Sequence, residues 1–231
     1  MRSRDVLLVG ATQDARYAAL FDWADQSVRD GELPEGLRTM DFHRLQVERW
    51  VWQHKDTVGP VIVDVGVEHA RRYFGPGYVT CGLHDEDVKG DLCEGLPFAH
   101  DSVDAVILTE MLEHVEDPVA AVAETWRVVK PGGCVLITVP MMWPWHGRTP
   151  ETAAETGNTH VFPDYWRFTD QGVRRLLRHW EAVDVRAIDW TVEGAQLYDL
   201  LRRFEIFGHR AYTHAHTGYT ADAVKPQRGE S

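Results

Sequence analysis

Between Pro140 and Thr169 the chain reads PMMWPWHGRTPETAAETGNTHVFPDYWRFT, which gathers His146, His160, Asp164, Tyr165, Trp166 and Arg167 into one aromatic-rich segment. Histidine is the side chain whose ordinary pKa lies nearest neutrality, so His146 and His160 are the candidates for taking a proton from a reacting hydroxyl or amine. Tyr165 and the planar cation of Arg167 suit the positioning of that acceptor, or of a carboxylate or phosphate on it. The same residues also have a plain structural use, in which the aromatics are core, Arg167 pairs with a local acid and the histidines lie on the surface. A second stretch, VDVGVEHA over residues 63–70, ends an apolar run and turns at Gly66. A glycine there lets backbone N–H groups approach a nucleotide closely.

The bulk properties restrict what these residues can serve. A chain of 231 residues fits one domain with a sizeable core. Asp and Glu outnumber Lys and Arg by 36 to 24, for a net charge of -12, so the surface repels phosphate backbones and nucleic acid is not expected as a partner. The apolar run Val6 to Ala11 is too short to span a membrane and follows a charged start without a signal-peptide core, which predicts no membrane attachment and a cytoplasmic location. Cys81, Cys93 and Cys134 lack metal-type spacing and read as reduced and mostly buried. His209, His214 and His216 are close in sequence, but their spacing in a polar stretch suits no zinc site, and no metal is expected.

The elements that must hold the site alternate. Apolar runs at 60–65, 77–82, 103–109, 134–139 and 182–188 read as strands separated by helical patterns, the signature of an α/β layer architecture with a largely parallel sheet. Asp117 and Pro118 open a helix with Val119, Val122, Ala123, Trp126 and Val129 on one face, and Lys130-Pro131-Gly132-Gly133 ends it. Thr169 and Asp170 open another, with Val173, Leu176, Leu177 and Trp180 inward. Upstream, Tyr17, Leu20, Phe21, Ala24 and Val28 mark one amphipathic helix and residues 41–54 a second, serving either as a lid or as cover for a sheet edge. Residues 193–207 read as a helix, and beyond Thr213 the loss of periodicity predicts a mobile tail.

The stretch from Gly90, GDLCEGLPFAHDSVDAVILTEMLEHVEDPVAAVAETWRVVKPGGCVLITVP, is the most specific. In wording and order, Leu96-Pro97-Phe98, Ser102-Val103-Asp104, Leu112-Glu113-His114-Val115, Asp117-Pro118, Arg127 to Gly133 and Pro140 resemble the small-molecule class I S-adenosylmethionine-dependent methyltransferases of the type 11 branch. The resemblance spans residues 60 to about 185. It implies an α/β Rossmann-like class I methyltransferase fold, a seven-stranded mostly parallel sheet with helices on both faces and one reversed strand near the edge. It also implies S-adenosylmethionine across the carboxyl ends of the first strands. By this resemblance Asp64 and Gly66 begin the first cofactor motif, Asp91 and Leu92 meet the adenine, and Thr109 and Glu110 line the methionine side. The Asp-Tyr-Trp-Arg-Phe-Thr run is similar to a branch found in sugar, glycan and natural-product pathways. Asp64 and Asp91 also have local uses as turn or loop acids, and His114 as a packing residue.

Three positions depart from the family pattern. Glu68 and Ala70 replace two glycines of the first motif, and Gly82 stands where an acid usually grips the ribose. A carboxylate at Glu68 would pair with the methionine ammonium or the sulfonium, or would exclude the ligand. Asp85, Glu86 or Asp87 could supply the ribose acid from the next loop. The expected organisation is a helical cap or lid over 1–58, a methyltransferase core over 59–208 with a substrate loop at 140–168, and a polar, mobile tail over 209–231. The expected function is methyl transfer from S-adenosylmethionine to O or N of a small molecule, with a non-catalytic or repurposed methyltransferase-like protein as the alternative. A dinucleotide oxidoreductase built on VLLVGATQDA, residues 6–15, fails because no further glycine follows Gly10 before the helix. Aromatics around Trp143 and Trp145 are compatible with a homodimer or with a lidded pocket.

Overall fold

The computed structural model describes residues 15–31, 42–66, 70–156, 161–189 and 216–227. The expected helix over 193–207 and the stretch at residues 6–11 lie outside them, as do Glu68 and His160. Two helices open the described chain, α1 (Ala15–Arg29) and α2 (Phe42–Gln53). Then follow β1 (Ile62–Val65), β2 (Tyr78–Gly82), β3 (Val88–Lys89), β4 (Val103–Thr109), α3 (Pro118–Val128), β5 (Val129–Pro140), α4 (Pro150–Thr156), α5 (Asp170–Leu176), β6 (Glu181–Asp189) and β7 (His216–Val224). Among the described residues no helix is long and apolar enough to cross a membrane.

The chain divides into two compact units, residues 1–49 with 188–217 and residues 50–187 with 218–231. In the first, Leu20, Ala24, Val28, Leu45 and Val47 are buried, and His43 Nδ1 lies 2.9 Å from Thr217 Oγ1.

The second unit carries the sheet, a seven-stranded one in the order β3-β2-β1-β4-β5-β7-β6. Strands β1 to β5 pair in parallel, whereas β7 runs antiparallel to β5, from Cys134 opposite Val224 to Pro140 opposite Gly218. The mostly parallel sheet with one reversed strand near its edge is therefore as expected. Alternation along the strands sorts side chains to two cores. Val63, Val65, Val106, Leu108, Val135, Ile137 and Val139 face α3 and α5, while Ile62, Ala105, Ile107 and Leu136 join Trp50, Val51 and Val58 on the other face.

The caps read from the sequence are present. Asp117 accepts hydrogen bonds from the Val119 and Ala120 amides ahead of Pro118, and Thr169 accepts one from Gly172. Helix α3 ends at Val128 and β5 begins at the next residue, so the expected stop at Lys130–Gly133 falls inside β5, where Gly132 takes φ +79° and the register with β4 shifts.

The expectation of a mobile tail over 209–231 is corrected for residues 216–227. Tyr219, Ala221 and Ala223 of β7 are buried in the core beside β5. Beyond the strand, the Lys225 ammonium donates to Asp101 Oδ1 at 2.6 Å and to the Trp126 and Val129 carbonyls, each at 2.7 Å. Polar composition hid the strand because its buried positions are small or hydroxylated. The cysteines are free, as expected, but Cys93 is exposed while Cys81 is buried.

Candidate functional site

Parallel strands end together at one edge of the sheet, and a crevice at that edge is where such folds take ligands. The first turn there follows β1. Asp64 is fully buried and accepts a hydrogen bond from the Tyr78 hydroxyl. Gly66 takes φ +102°, and a Cβ on it would lie 3.0 Å from Met111 Sδ, so the turn needs a residue without a side chain.

At the end of β2, Gly82 leaves a space that its own loop fills. A Cβ built on it would fall 2.6 Å from the carboxyl carbon of Glu86, whose Oε2 accepts from the His84 amide at 2.7 Å. Of the three acids proposed as substitutes for a ribose acid, Glu86 packs against Gly82 at the end of β2. Asp87 is committed elsewhere, accepting from Thr80 N at 2.8 Å, from Thr80 Oγ1 at 3.1 Å and from Arg71. After β3, Asp91 Oδ1 accepts from the Cys93 amide at 2.8 Å and fixes a turn that buries Leu92.

Strand β4 ends at Thr109, which is buried, and Glu110 then adopts φ +48°, a left-handed conformation held by two hydrogen bonds from its amide to Thr138. This sharp break starts a short helical turn, Leu112–His114, in which Glu113 is completely buried. Neither carboxylate oxygen of Glu113 has a hydrogen-bond partner of ordinary geometry among the described residues. Burial, reinforced by the nearby charges of Glu110 and Asp164, pushes its carboxyl up to about 9. Burial also holds the neighbouring His114 below the usual histidine range.

The loop after β5 folds back onto this turn. The Tyr165 amide donates to the Glu113 carbonyl at 2.7 Å, and the Trp166 indole donates to the Val115 carbonyl at 2.8 Å. The Nδ1–H of His114 donates to the Pro163 carbonyl. Across the same contact stands His146, its ring edge-on to His114 with centroids 5.0 Å apart. Asp164 organises this half of the loop. It accepts from the His146 amide at 2.8 Å and lies 3.3 Å from His146 Nδ1, while Arg167 grips it with two nitrogens. The Arg167 guanidinium holds the Asp164 carboxyl down at about 2.

The result is a convergence of three side chains. With both Nδ1 atoms engaged, the Nε2 atoms face Glu113 Oε1, at 3.6 Å from His114 and 3.7 Å from His146. Of the residues singled out in the sequence, His146 lies in this cluster. Tyr165 is 54% exposed and contributes its backbone rather than a placed hydroxyl. Arg167 is a clamp on Asp164 and on the Trp143 and Pro144 carbonyls, which removes it from the acceptor-positioning role. Nothing in the sequence marks Glu113 as buried. The available signal was Glu113-His114 just past one strand with His146 just past the adjacent one.

Fold and motifs together define a class I Rossmann-like methyltransferase architecture. Residues 62–137 match the family model described as a methyltransferase domain. An uncharacterized methyltransferase of Mycobacterium leprae is 29% identical over 133 residues, covering 48% of this chain and 47% of that protein. The chain therefore spans about half the length of the curated relatives it matches. Among solved structures, the methyltransferase in complex with the Haloferax volcanii Trm112 activator superposes with a TM-score of 0.50 at 18% identity, over 81% of this chain and 94% of that one. The [4+2]-cyclase SpnF superposes with a TM-score of 0.51 at 16% identity, over 79% and 81%.

Proposed function

We propose that the protein is an S-adenosylmethionine-dependent methyltransferase acting on the O or N of a small molecule, of the sugar-containing or natural-product kind. The observation that carries this reading is the Glu113, His114 and His146 cluster, set at the carboxyl ends of β4 and β5 within a fold of methyltransferase type. The residues fit the cofactor. A glycine at positive φ follows the first strand, an acid and a buried leucine follow the third, and Glu86 supplies a carboxylate where Gly82 has none. Asp64, Gly66, Asp91, Leu92, Thr109 and Glu110 would hold it, together with Glu68.

S-adenosylmethionine supplies an electrophilic methyl group on a sulfonium, and its sulfur keeps the C–S bonding pair when the acceptor's lone pair takes the methyl. What the protein must add is position, dryness and a destination for the acceptor's proton. His146 serves as that destination. Its Nδ1–H is held by Pro144 and Asp164, which leaves Nε2 as the basic nitrogen, and His160 is the second candidate. Tyr165 borders the acceptor from the loop.

A second reading, a repurposed methyltransferase-like protein, is favoured by Gly82 and by the occurrence of a [4+2]-cyclase on the same fold. Calorimetric titration with S-adenosylmethionine and S-adenosylhomocysteine separates the two. Micromolar binding by the wild type, weakened in Asp91→Ala, supports methyl transfer. A wild type that binds neither compound overturns it.

A further inference from the structure

We propose that Glu113, His114 and His146 form a binding site for one divalent transition-metal cation, with Zn²⁺ the best match to the donor set. The proposal rests on four features of the cluster. Each residue offers a donor atom, and the three donors lie within 4.8 Å of one another. Glu113 Oε1 is 3.6 Å from His114 Nε2 and 3.7 Å from His146 Nε2. Four-coordinate zinc with bonds of about 2.0–2.1 Å sets neighbouring donors about 3.4 Å apart, so each Glu113–histidine separation closes by a few tenths of an ångström and the histidine–histidine separation by at most about 1.4 Å. Two imidazoles and one carboxylate are also the donor set of several catalytic zinc sites.

The second feature is orientation. A metal-binding imidazole ordinarily donates its other ring N–H to a carbonyl or carboxylate, which fixes the tautomer and aims the lone pair. Both histidines have this support, His114 from the Pro163 carbonyl and His146 from Pro144 and Asp164. The third feature is the carboxylate. Glu113 is fully buried, and neither oxygen has a hydrogen-bond partner among the described residues. A buried carboxyl without a partner is destabilising unless something satisfies it, and a cation between it and two imidazoles would do so. The fourth is access, since the His146 side chain is about one-third exposed.

Three protein donors leave at least one coordination position open. If the methyl-transfer reading holds, that position takes the acceptor's oxygen and lowers its pKa, the proton leaving to solvent. A cation on Nε2 of His146 would then replace that nitrogen as the agent of deprotonation. Only this last step depends on the methyl-transfer reading; the metal site does not.

The test uses the tag-free full chain, stripped with a chelator and titrated with Zn²⁺ by calorimetry and with Co²⁺ by visible absorption. The expected result is one saturable equivalent, with Co²⁺ bands that report imidazole ligation at low coordination number. Glu113→Gln and His146→Ala should each abolish that saturable event, and Asp164→Asn should weaken it by about 10–100-fold through loss of the support behind His146. Circular dichroism confirms that the variants are folded. If Glu113→Gln does not fold, the partly exposed His146 carries the test. No binding by the wild type, or binding unchanged in both Glu113→Gln and His146→Ala, overturns the proposal; the latter outcome assigns the metal to other histidines. Titration with S-adenosylhomocysteine on the same samples separates loss of the metal site from loss of the cofactor site.

Discussion

The carboxylate of Glu86 stands in the space vacated by the missing side chain of Gly82, 2.6 Å from where a Cβ would sit. An acid is thereby restored to the end of β2 from four residues further along the chain. Glu86→Ala is expected to lower S-adenosylhomocysteine affinity by about tenfold, the effect of about 1–1.5 kcal/mol in lost hydrogen bonds to the ribose. Asp87→Asn should leave that affinity near wild type and lower the melting temperature, because Asp87 ties β2 to Arg71. Calorimetry and thermal melts on the pair check the assignment; equal affinity in Glu86→Ala and wild type would remove Glu86 from the site.

Asp164 makes the loop acid-sensitive. Its carboxyl is held at about 2, below the ordinary 3.8, so the native state gives up the proton more readily than the unfolded chain. The resulting stability is present above pH 4 and is lost as pH falls from about 4 to about 2, amounting to roughly 2 kcal/mol. Denaturant unfolding of Asp164→Asn should show a flatter stability profile across that window than the wild type.

Glu113 works in the opposite direction. With its carboxyl raised to about 9 from an ordinary 4.5, the folded state retains a proton that the unfolded chain has lost. Its contribution is complete below the unfolded value and is lost as pH rises toward 9. In chelator, Glu113→Gln should therefore melt higher than the wild type at pH 8 and equally at pH 4.5. A wild type more stable at pH 8 than the variant, with no metal present, would contradict the buried neutral carboxyl.

Lys225 holds β7 against the helix that precedes β5. Its ammonium has three oxygen partners and also lies 5.2 Å from the centre of the Trp126 ring. Lys225→Met keeps the length of the side chain and strands two carbonyls and the Asp101 carboxylate, which should cost about 2–4 kcal/mol in urea unfolding. An unchanged midpoint would show that water satisfies those oxygens.

The sheet was largely legible because its central strands are continuous apolar runs and its two clearest helices carry side-chain caps. Asp117, Pro118 and Thr169 act where their residue types indicate. Strand β3 is two residues long and has no period to detect. In β7 the core positions alternate correctly, but Thr217 and Thr220 are buried among them and the polar sequence masks the pattern. The site was legible in its position and not in its chemistry. Arg167 and Asp164 are residue types that suit substrate contact, and only the fold reveals that they are spent on each other. Glu113 lies inside a recognisable motif, yet its burial without a hydrogen-bond partner among the described residues is a property of packing that no spacing encodes.

Strand β7 lies between β5 and β6, although it is the last of the seven to be made. During synthesis β6 emerges with its neighbour still missing, and the edge of β5 that β7 will cover stays exposed. The nascent sheet can assemble from β3 to β5, but its far side waits for residues 216–224 to leave the ribosome. Folding of the complete sheet is thus tied to synthesis of residues 216–224, and premature termination before Tyr219 would release a chain with an open, sticky edge.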